Sequence, residues 1–369
     1  MKILIIHSND ICNYPPVKSL VENLENNGHE ITIITRDSNN ILEKFKDVKV
    51  FKLLPHGKTK LENFTNYLRN RKLIRKYYNL SAKENDVVWT TTTETVREVG
   101  HNLLSCNHHV MQMMELIEYE PYFPFVSIIK FNIKRYAQHA WKVVVPEKNR
   151  AYIQKAWWNL PRTPYVLPNK PYSIRIDKIP KELIPYIKKM KEETKKIILY
   201  QGVFLPDRNL DAVAKAISYL SDRYVLYIMG KENEYQKQLC EKYPFIVCVP
   251  FIPSPYHLAI TKEAYIGLLP YVPKKVANSS ILNALYCAPN KIYEYAACGL
   301  PMIGSDVLGL KEPFEKYNIG CCCDELDCSQ ITNALQTIET HYDEMSLNCK
   351  RYFNSIDLDN IVNSILSKE

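Results

Sequence analysis

Residues 288–306, Ala-Pro-Asn-Lys-Ile-Tyr-Glu-Tyr-Ala-Ala-Cys-Gly-Leu-Pro-Met-Ile-Gly-Ser-Asp, read as a helix that runs into a strand. Pro289 lacks an N–H and has a fixed φ, so it suits a helix start. Ile292, Tyr295 and Ala296 fall near helical spacing and make an apolar face. Gly299 supplies a left-handed stop, and Leu300 to Ile303 enters a buried strand. Lys291 and Glu294 lie three apart near the helix start and share a face. A helix N-terminus favours anions. A cation there suits phosphate, and a carboxylate one turn later suits sugar hydroxyls. Together they make a workable nucleotide-sugar site; the alternative is a surface ion pair on an ordinary helix, which is weak.

Outward from that stretch the chain alternates strand and helix twice, the pattern of parallel sheets with helices on both faces. In the first region strands are expected near 2–7, 31–35, 48–54, 86–90, 109–113, 141–145 and 164–167. Helices are expected near 16–27, 61–78, 94–104, 126–139 and 147–157. Ligands bind beyond the carboxyl ends of such strands. That places Asn9 to Pro16, Thr90 to Glu94, Met114 to Glu120 and Glu147 on the binding edge. Residues 171–194, with Pro171, Pro180, Pro185 and a charged tail from Lys188 to Lys196, read as a linker. The second region has strands near 197–201, 224–229, 245–249, 264–269, 301–304 and 319–322, and helices near 208–220, 232–242, 289–298 and 328–342. Residues 344–367 read as helical. The domains so defined are 1–170, 195–343 and a C-terminal segment 344–369.

The 369 residues suffice for two domains of ordinary size, and 46% hydrophobic with 24% charged residues marks a globular chain. Ten glycines are too few for a glycine-rich phosphate cradle. No apolar run approaches the ~18 residues of a membrane helix. Polar His7 to Asp10 follows the apolar start at once, so a signal peptide is not expected. Eleven cysteines then suggest a reducing compartment. Cys321-Cys322-Cys323 would point to alternate faces of a strand and reads as structural, not as a metal cluster. The net charge of +8 fits an acidic ligand or an anionic membrane surface. Basic residues cluster in 58–79 and again at Lys130, Lys134, Arg135 and Lys142, interleaved with apolar side chains. Basic amphipathic helices can lie on anionic lipid, or simply present a solvated face. No nucleic-acid recognition motif is present.

The stretch 288–306 resembles the signature of the retaining glycosyltransferases of the GT-B fold, family 4 (glycosyl transferases group 1): Pro-x-Lys-hydrophobic-x-Glu-Tyr-x-x-x-Gly-x-Pro. Residues 197–211 resemble that family's first C-domain strand and phosphate loop, 226–230 its next strand, and 264–270 a further one. The resemblance implies two Rossmann-like domains facing across a cleft, with a C-terminal helix crossing back to the first. It implies that Arg208, after a strand and loop at an expected helix start, and Lys291 neutralise a donor diphosphate. Glu294 would accept hydrogen bonds from ribose hydroxyls. Gly202 in the loop and Asn290 at the helix start join it as substrate-binding candidates.

Two departures stand out. A second Glu, eight residues before Glu294 in many members, is Tyr286 here. Sugar contacts are then expected elsewhere, for example from the 271–287 loop. In the first domain a strand-end histidine is replaced by Met114, while Glu115 remains as a catalytic candidate. Asn13 and Tyr14 lie in a loop that replaces a glycine-rich one and are candidates for acceptor or donor phosphate. The implied donor is a nucleotide-diphosphate sugar and the implied acceptor a glycan or lipid-linked hydroxyl. No Asp-x-Asp motif follows a strand, so no metal or other cofactor is expected. The expected setting is cytoplasmic, peripheral at the inner face of the membrane, in synthesis of a bacterial surface glycan such as capsule or lipopolysaccharide. Two other classes fit the same architecture: a nucleotide-sugar epimerase, for which no carboxylate–histidine set is evident, and a non-catalytic subunit.

Overall fold

The computed structural model describes residues 1–123, 126–274 and 280–367. Part of the 271–287 loop, at 275–279, lies outside them. Contacts divide the chain into two compact units, Met1–Tyr172 with Leu358–Glu369, and Ser173–Asp357.

In the first unit the strands are β1 (Lys2–Asp10), β2 (Glu30–Arg36), β3 (Val48–Lys52), β4 (Val87–Thr91), β5 (His109–Gln112), β6 (Glu120–Phe123), β7 (Val126–Phe131), β8 (Lys142–Val145) and β9 (Tyr165–Val166). Seven of them form one parallel sheet in the order β3-β2-β1-β4-β5-β8-β9. Ile3 to Ile6 are wholly buried, as expected of a strand covered on both faces. Gly28 ends the first helix in the left-handed region at φ +74°. The C-terminal helix Leu358–Leu366 belongs to this unit: Asp359 accepts from Asn23 and Asn27, each at 2.7 Å.

In the second unit β10 (Lys196–Gln201), β11 (Tyr224–Gly230), β12 (Val247–Pro250), β13 (Ile266–Leu269), β14 (Met302–Ser305) and β15 (Gly320–Cys323) form a parallel sheet ordered β12-β11-β10-β13-β14-β15. Both sheets therefore reverse strand order beside their first strand, between β1 and β4 and between β10 and β13. Such switch points open a crevice at the carboxyl ends of the strands.

Several expectations need correction. The helix foreseen over 126–139 is an antiparallel β6–β7 hairpin followed by a short helix, Ile133–His139. The linker 171–194 contains a helix, Ile184–Lys191, with Leu183 and Met190 in the second core. Pro185 is tolerated there because it sits in the first turn. The segment 344–369 is not one unit. Helix Tyr342–Asn354 stays with the second unit, burying Met345, Cys349 and Tyr352, and Tyr352 stacks on Tyr293 at 5.7 Å. Only the part from Leu358 joins the first unit.

Candidate active site

The site in the second unit is built where β10 and β13 diverge. β10 ends at Gln201, and Gly202 follows at φ +126°. A Cβ on Gly202 would lie 2.8 Å from Lys291 Cε and 3.0 Å from its Nζ. Glycine is needed here twice over, for the backbone angle and for the approach of the lysine. Lys291 projects from the first turn of helix Asn290–Ala297, which Pro289 caps and Gly299 stops at φ +69°. Among the described residues the hydrogen-bond partner of Lys291 Nζ is the Tyr271 hydroxyl, at 3.3 Å. Burial lowers the Lys291 pKa from its ordinary value; the Tyr200 hydroxyl opposes that and Arg208 adds to it. Asn290 opens the helix, half-buried.

Arg208 was expected at a helix start. It sits two residues before one, Leu210–Ser218, in a loop that pairs with the segment after β13. Asn209 N–H donates to Pro270 at 2.9 Å, and Val272 N–H to Asp207 at 2.9 Å. That pairing lays the Arg208 guanidinium on the Tyr271 ring, 3.9 Å from its centroid. Asp207 makes an ion pair with it. Burial works against the Arg208 charge, but Tyr271, Tyr200 and Asp207 outweigh it and raise the pKa. Arg208 Nε is buried without a hydrogen-bond partner. Two cations thus flank one tyrosine beside an open glycine turn.

Glu294 is one turn further along the helix and 6% exposed. Its Oε2 accepts from Gln201 Nε2 at 2.6 Å, and its Oε1 lies 3.2 Å from His257 Nε2. Gln201 is oriented in turn by Thr261, whose hydroxyl donates to Gln201 Oε1 at 2.7 Å. Burial pushes the Glu294 pKa up, but His257, Lys291 and Gln201 prevail and hold it below the ordinary carboxylate value. Each oxygen keeps a lone pair beyond its protein partner. Tyr295 anchors the helix: its hydroxyl donates to Leu199 at 3.1 Å and accepts from Gln201 N–H at 3.2 Å. Its ring lies flat on Gly267, where a Cβ would come within 2.4 Å.

The structure therefore gathers Gly202, Arg208, Asn290, Lys291 and Glu294 in one place. Sequence reasoning missed Gln201, His257, Thr261 and Tyr271. Gln201 had a signal, its place at a strand end beside Gly202; His257 and Thr261 had none. The histidine–carboxylate pair not evident in the sequence does exist, between His257 and Glu294.

The first unit holds the other candidates. β5 ends at Gln112, so Glu115 is an exposed side chain three residues past it. The Tyr14 hydroxyl accepts from Asn9 Nδ2 at 3.3 Å, and the same amide donates to Glu94 at 3.2 Å. Burial first, then the charges of Glu94 and Glu115, raise the Tyr14 pKa. Tyr14, Glu94 and Glu115 thus share the switch point between β1 and β4. Asn13 is exposed on a turn, Ile11–Asn13. Glu147 is a helix cap, accepting from Asn149 and Arg150 backbone N–H groups at 2.8 and 2.9 Å. Among the described residues no three His, Cys, Asp or Glu side chains come together as a metal set, and no helix is long and apolar enough to cross a membrane. Cys321 to Cys323 lie on β15 as expected.

Two doubly wound sheets, each with a crevice at its switch point, define the GT-B architecture. Sucrose-phosphate synthase from Thermosynechococcus elongatus shares it with a TM-score of 0.71 at 16% identity, over 99% of this chain and 97% of that one. Anabaena HepE in complex with UDP and glucose gives 0.70 at 13% identity, over 99% and 98%. A putative UDP-N-acetylglucosamine 2-epimerase from Listeria monocytogenes gives 0.61 at 16%, over 99% and 94%. Residues 195–341, most of the second unit, match the model of the family glycosyl transferases group 1. No curated protein sequence matches the chain.

Proposed function

We propose that the protein transfers a sugar from a nucleotide-diphosphate sugar to a hydroxyl of a glycan or lipid-linked acceptor, with retention of anomeric configuration. The observation that carries this is Lys291: a cation at a helix N-terminus, against Gly202 and beside Arg208, with a tyrosine hydroxyl and no carboxylate as its hydrogen-bond partner among the described residues. Such a charge is costly without an anion and favourable with one. In the reaction the bond from the anomeric carbon to the diphosphate oxygen breaks. Negative charge then grows on the diphosphate, where Lys291 and Arg208 stabilise it. The acceptor oxygen forms the new bond and its proton passes to the departing phosphate. Glu294, kept ionised by Gln201 and His257, accepts from the ribose hydroxyls. Glu115 and Tyr14 act on the acceptor side, and no step calls for a metal.

UDP is the first nucleotide to try, because HepE binds it in the same fold. Synthesis of a bacterial surface polysaccharide, on the cytoplasmic side of the membrane, is the setting this reaction suits. Incubation with UDP-sugars, read by release of UDP with and without Arg208→Ala, tests the reading. UDP released together with a free sugar of unchanged configuration supports it. An epimerised sugar would favour the epimerase class, which the His257–Glu294 pair also suits. No turnover and no nucleotide binding would favour a non-catalytic subunit.

A further inference from the structure

The second unit carries a pair of thiols that the donor site does not use. Strand β11, helix Glu234–Lys242 and strand β12 form one crossover, and β12 is the edge of its sheet. Alternation along β12 turns Val247 and Val249 into the core on one face. Cys248, between them, points to the other face. There the helix covers the sheet with Leu239, and Tyr243 and Ile246 of the connecting turn are buried in the same core. Cys240 lies on the last turn of that helix, packed against this core. The two sulfurs stand 3.0 Å apart, across eight residue steps of chain. Both are free thiols, Cys248 exposed and Cys240 half-buried.

The frame around the pair is well fixed. Asn233 caps the helix, accepting from Gln236 N–H at 3.0 Å, and its amide donates to the Phe204 carbonyl at 2.7 Å. At the other end Lys242 meets Asp211 at 2.7 Å. Backbone bonds close the turn between the cysteines, from Tyr243 N–H to Leu239 at 3.0 Å and from Ile246 N–H to Tyr243 at 3.1 Å. A disulfide bond is about 2.05 Å long, so closure asks for about 1 Å of further approach, within reach of two side chains that can each swing about χ1. Other cysteines sit differently. Cys349 Sγ donates to the Leu300 carbonyl at 3.2 Å, and Cys321 Sγ to that of Ala334 at 3.9 Å. Those are the contacts of small hydrophobes with a weak S–H donor.

The geometry points to Cys240 and Cys248 as a reversible dithiol–disulfide pair, a redox-modification site that staples the helix to the edge strand. The co-reactant is a small-molecule disulfide. Burial first, then the Cys248 sulfur beside it, raise the Cys240 pKa, so the exposed Cys248 reacts first. Its thiolate attacks one sulfur of the small disulfide, whose S–S bond breaks and releases one thiolate. Cys240 then gives up its proton and attacks the Cys248 sulfur, and the second small thiolate leaves. Two protein thiols are oxidised to one disulfide, and the small disulfide is reduced to two thiols. The inference stands independently of the donor-site reading.

The test treats the full chain with oxidised glutathione, alkylates the remaining thiols and maps the peptides by mass spectrometry. Cys240 and Cys248 are expected in one crosslinked product, lighter by two hydrogens and shielded from alkylation until dithiothreitol is added. Closing so short a loop should raise the melting temperature by about 5–10 °C, and dithiothreitol should reverse the rise. Cys248→Ser should abolish both effects. Cys240→Ser should instead hold glutathione on Cys248, because the second thiol is missing. Alkylation of both thiols unchanged by oxidised glutathione overturns the proposal. So does glutathione that stays on Cys248 in the unchanged chain, or a crosslink that forms only after unfolding in urea. A native crosslink that leaves the melting temperature unmoved overturns the staple.

Discussion

Replacing Lys291 by methionine separates what the lysine does for function from what it does for the fold. Methionine keeps the length and loses the charge. In the ligand-free protein the ammonium is packed against Gly202 Cα and hydrogen-bonded to Tyr271 at 3.3 Å. Burial holds its pKa below the ordinary value, so at neutral pH the charged form is less favoured in the folded than in the unfolded chain. Removing the charge should leave the melting temperature unchanged or raise it, by about 2–4 °C for each kcal/mol recovered. The opposite should happen with ligand. A nucleotide at 100 times its Kd stabilises a protein by about 2.7 kcal/mol, or about 5–11 °C on the same scale. A charge-assisted contact is worth about 1.5–3 kcal/mol, so the variant should lose most of that shift. Loss of a group that meets charge developing on the leaving diphosphate should cost about 10²–10³ in kcat, or about 2.7–4 kcal/mol. The assay is thermal melting with and without UDP, alongside UDP release. A variant that is less stable without ligand yet keeps its nucleotide shift would refute the reasoning, because Lys291 would then be a fold residue.

Other predictions follow from the same geometry. Gly202→Ala must strain a φ of +126° and push Lys291 aside; a stability loss of about 1–3 kcal/mol is expected, with KM for donor raised, both read from melts and steady-state rates. His7 and His109 are buried and hydrogen-bonded to Thr91 and Thr90 at 2.8 Å, and burial lowers both pKa values to about 3 from 6.5. Because the unfolded chain binds these protons first, the first unit should lose stability as pH falls from about 6.5 toward 3. All four tryptophans, Trp89, Trp141, Trp157 and Trp158, lie in that unit, so tryptophan fluorescence against pH reports it directly. Transfer should proceed undiminished in the presence of a chelator; inhibition reversed by a divalent cation would contradict the metal-free mechanism.

How far the sequence could be read depended on whether its signals were local. Helix Asn290–Ala297 was legible because Pro289 and Gly299 mark its two ends within one short stretch. The alternating strands of both sheets were legible because buried parallel strands are apolar runs bounded by turns. Residues 126–131 were not, since a short apolar run fits a strand or a helix alike; pairing with a neighbouring strand decided it. Helix Leu308–Tyr317 escaped notice because Pro313 lies inside it. The split of the C-terminal segment turns on which core Met345 and Leu358 reach, a tertiary choice with no local mark. At the site, the motif supplied Lys291 and Glu294. Gln201 is 93 residues from the Glu294 it orients, and Thr261 is 60 from Gln201. Contacts at that separation leave no trace in periodicity.

The central claim, that the second unit holds a nucleotide-sugar donor at Lys291, Arg208 and Glu294, is tested most directly by nucleotide binding. Melting of the protein with UDP, GDP, ADP and CMP, repeated on Glu294→Ala, is the measurement. The account predicts selective stabilisation by one nucleoside diphosphate, largely lost in the variant. Equal stabilisation of both proteins by that nucleotide would contradict it, as would no stabilisation by any of the four.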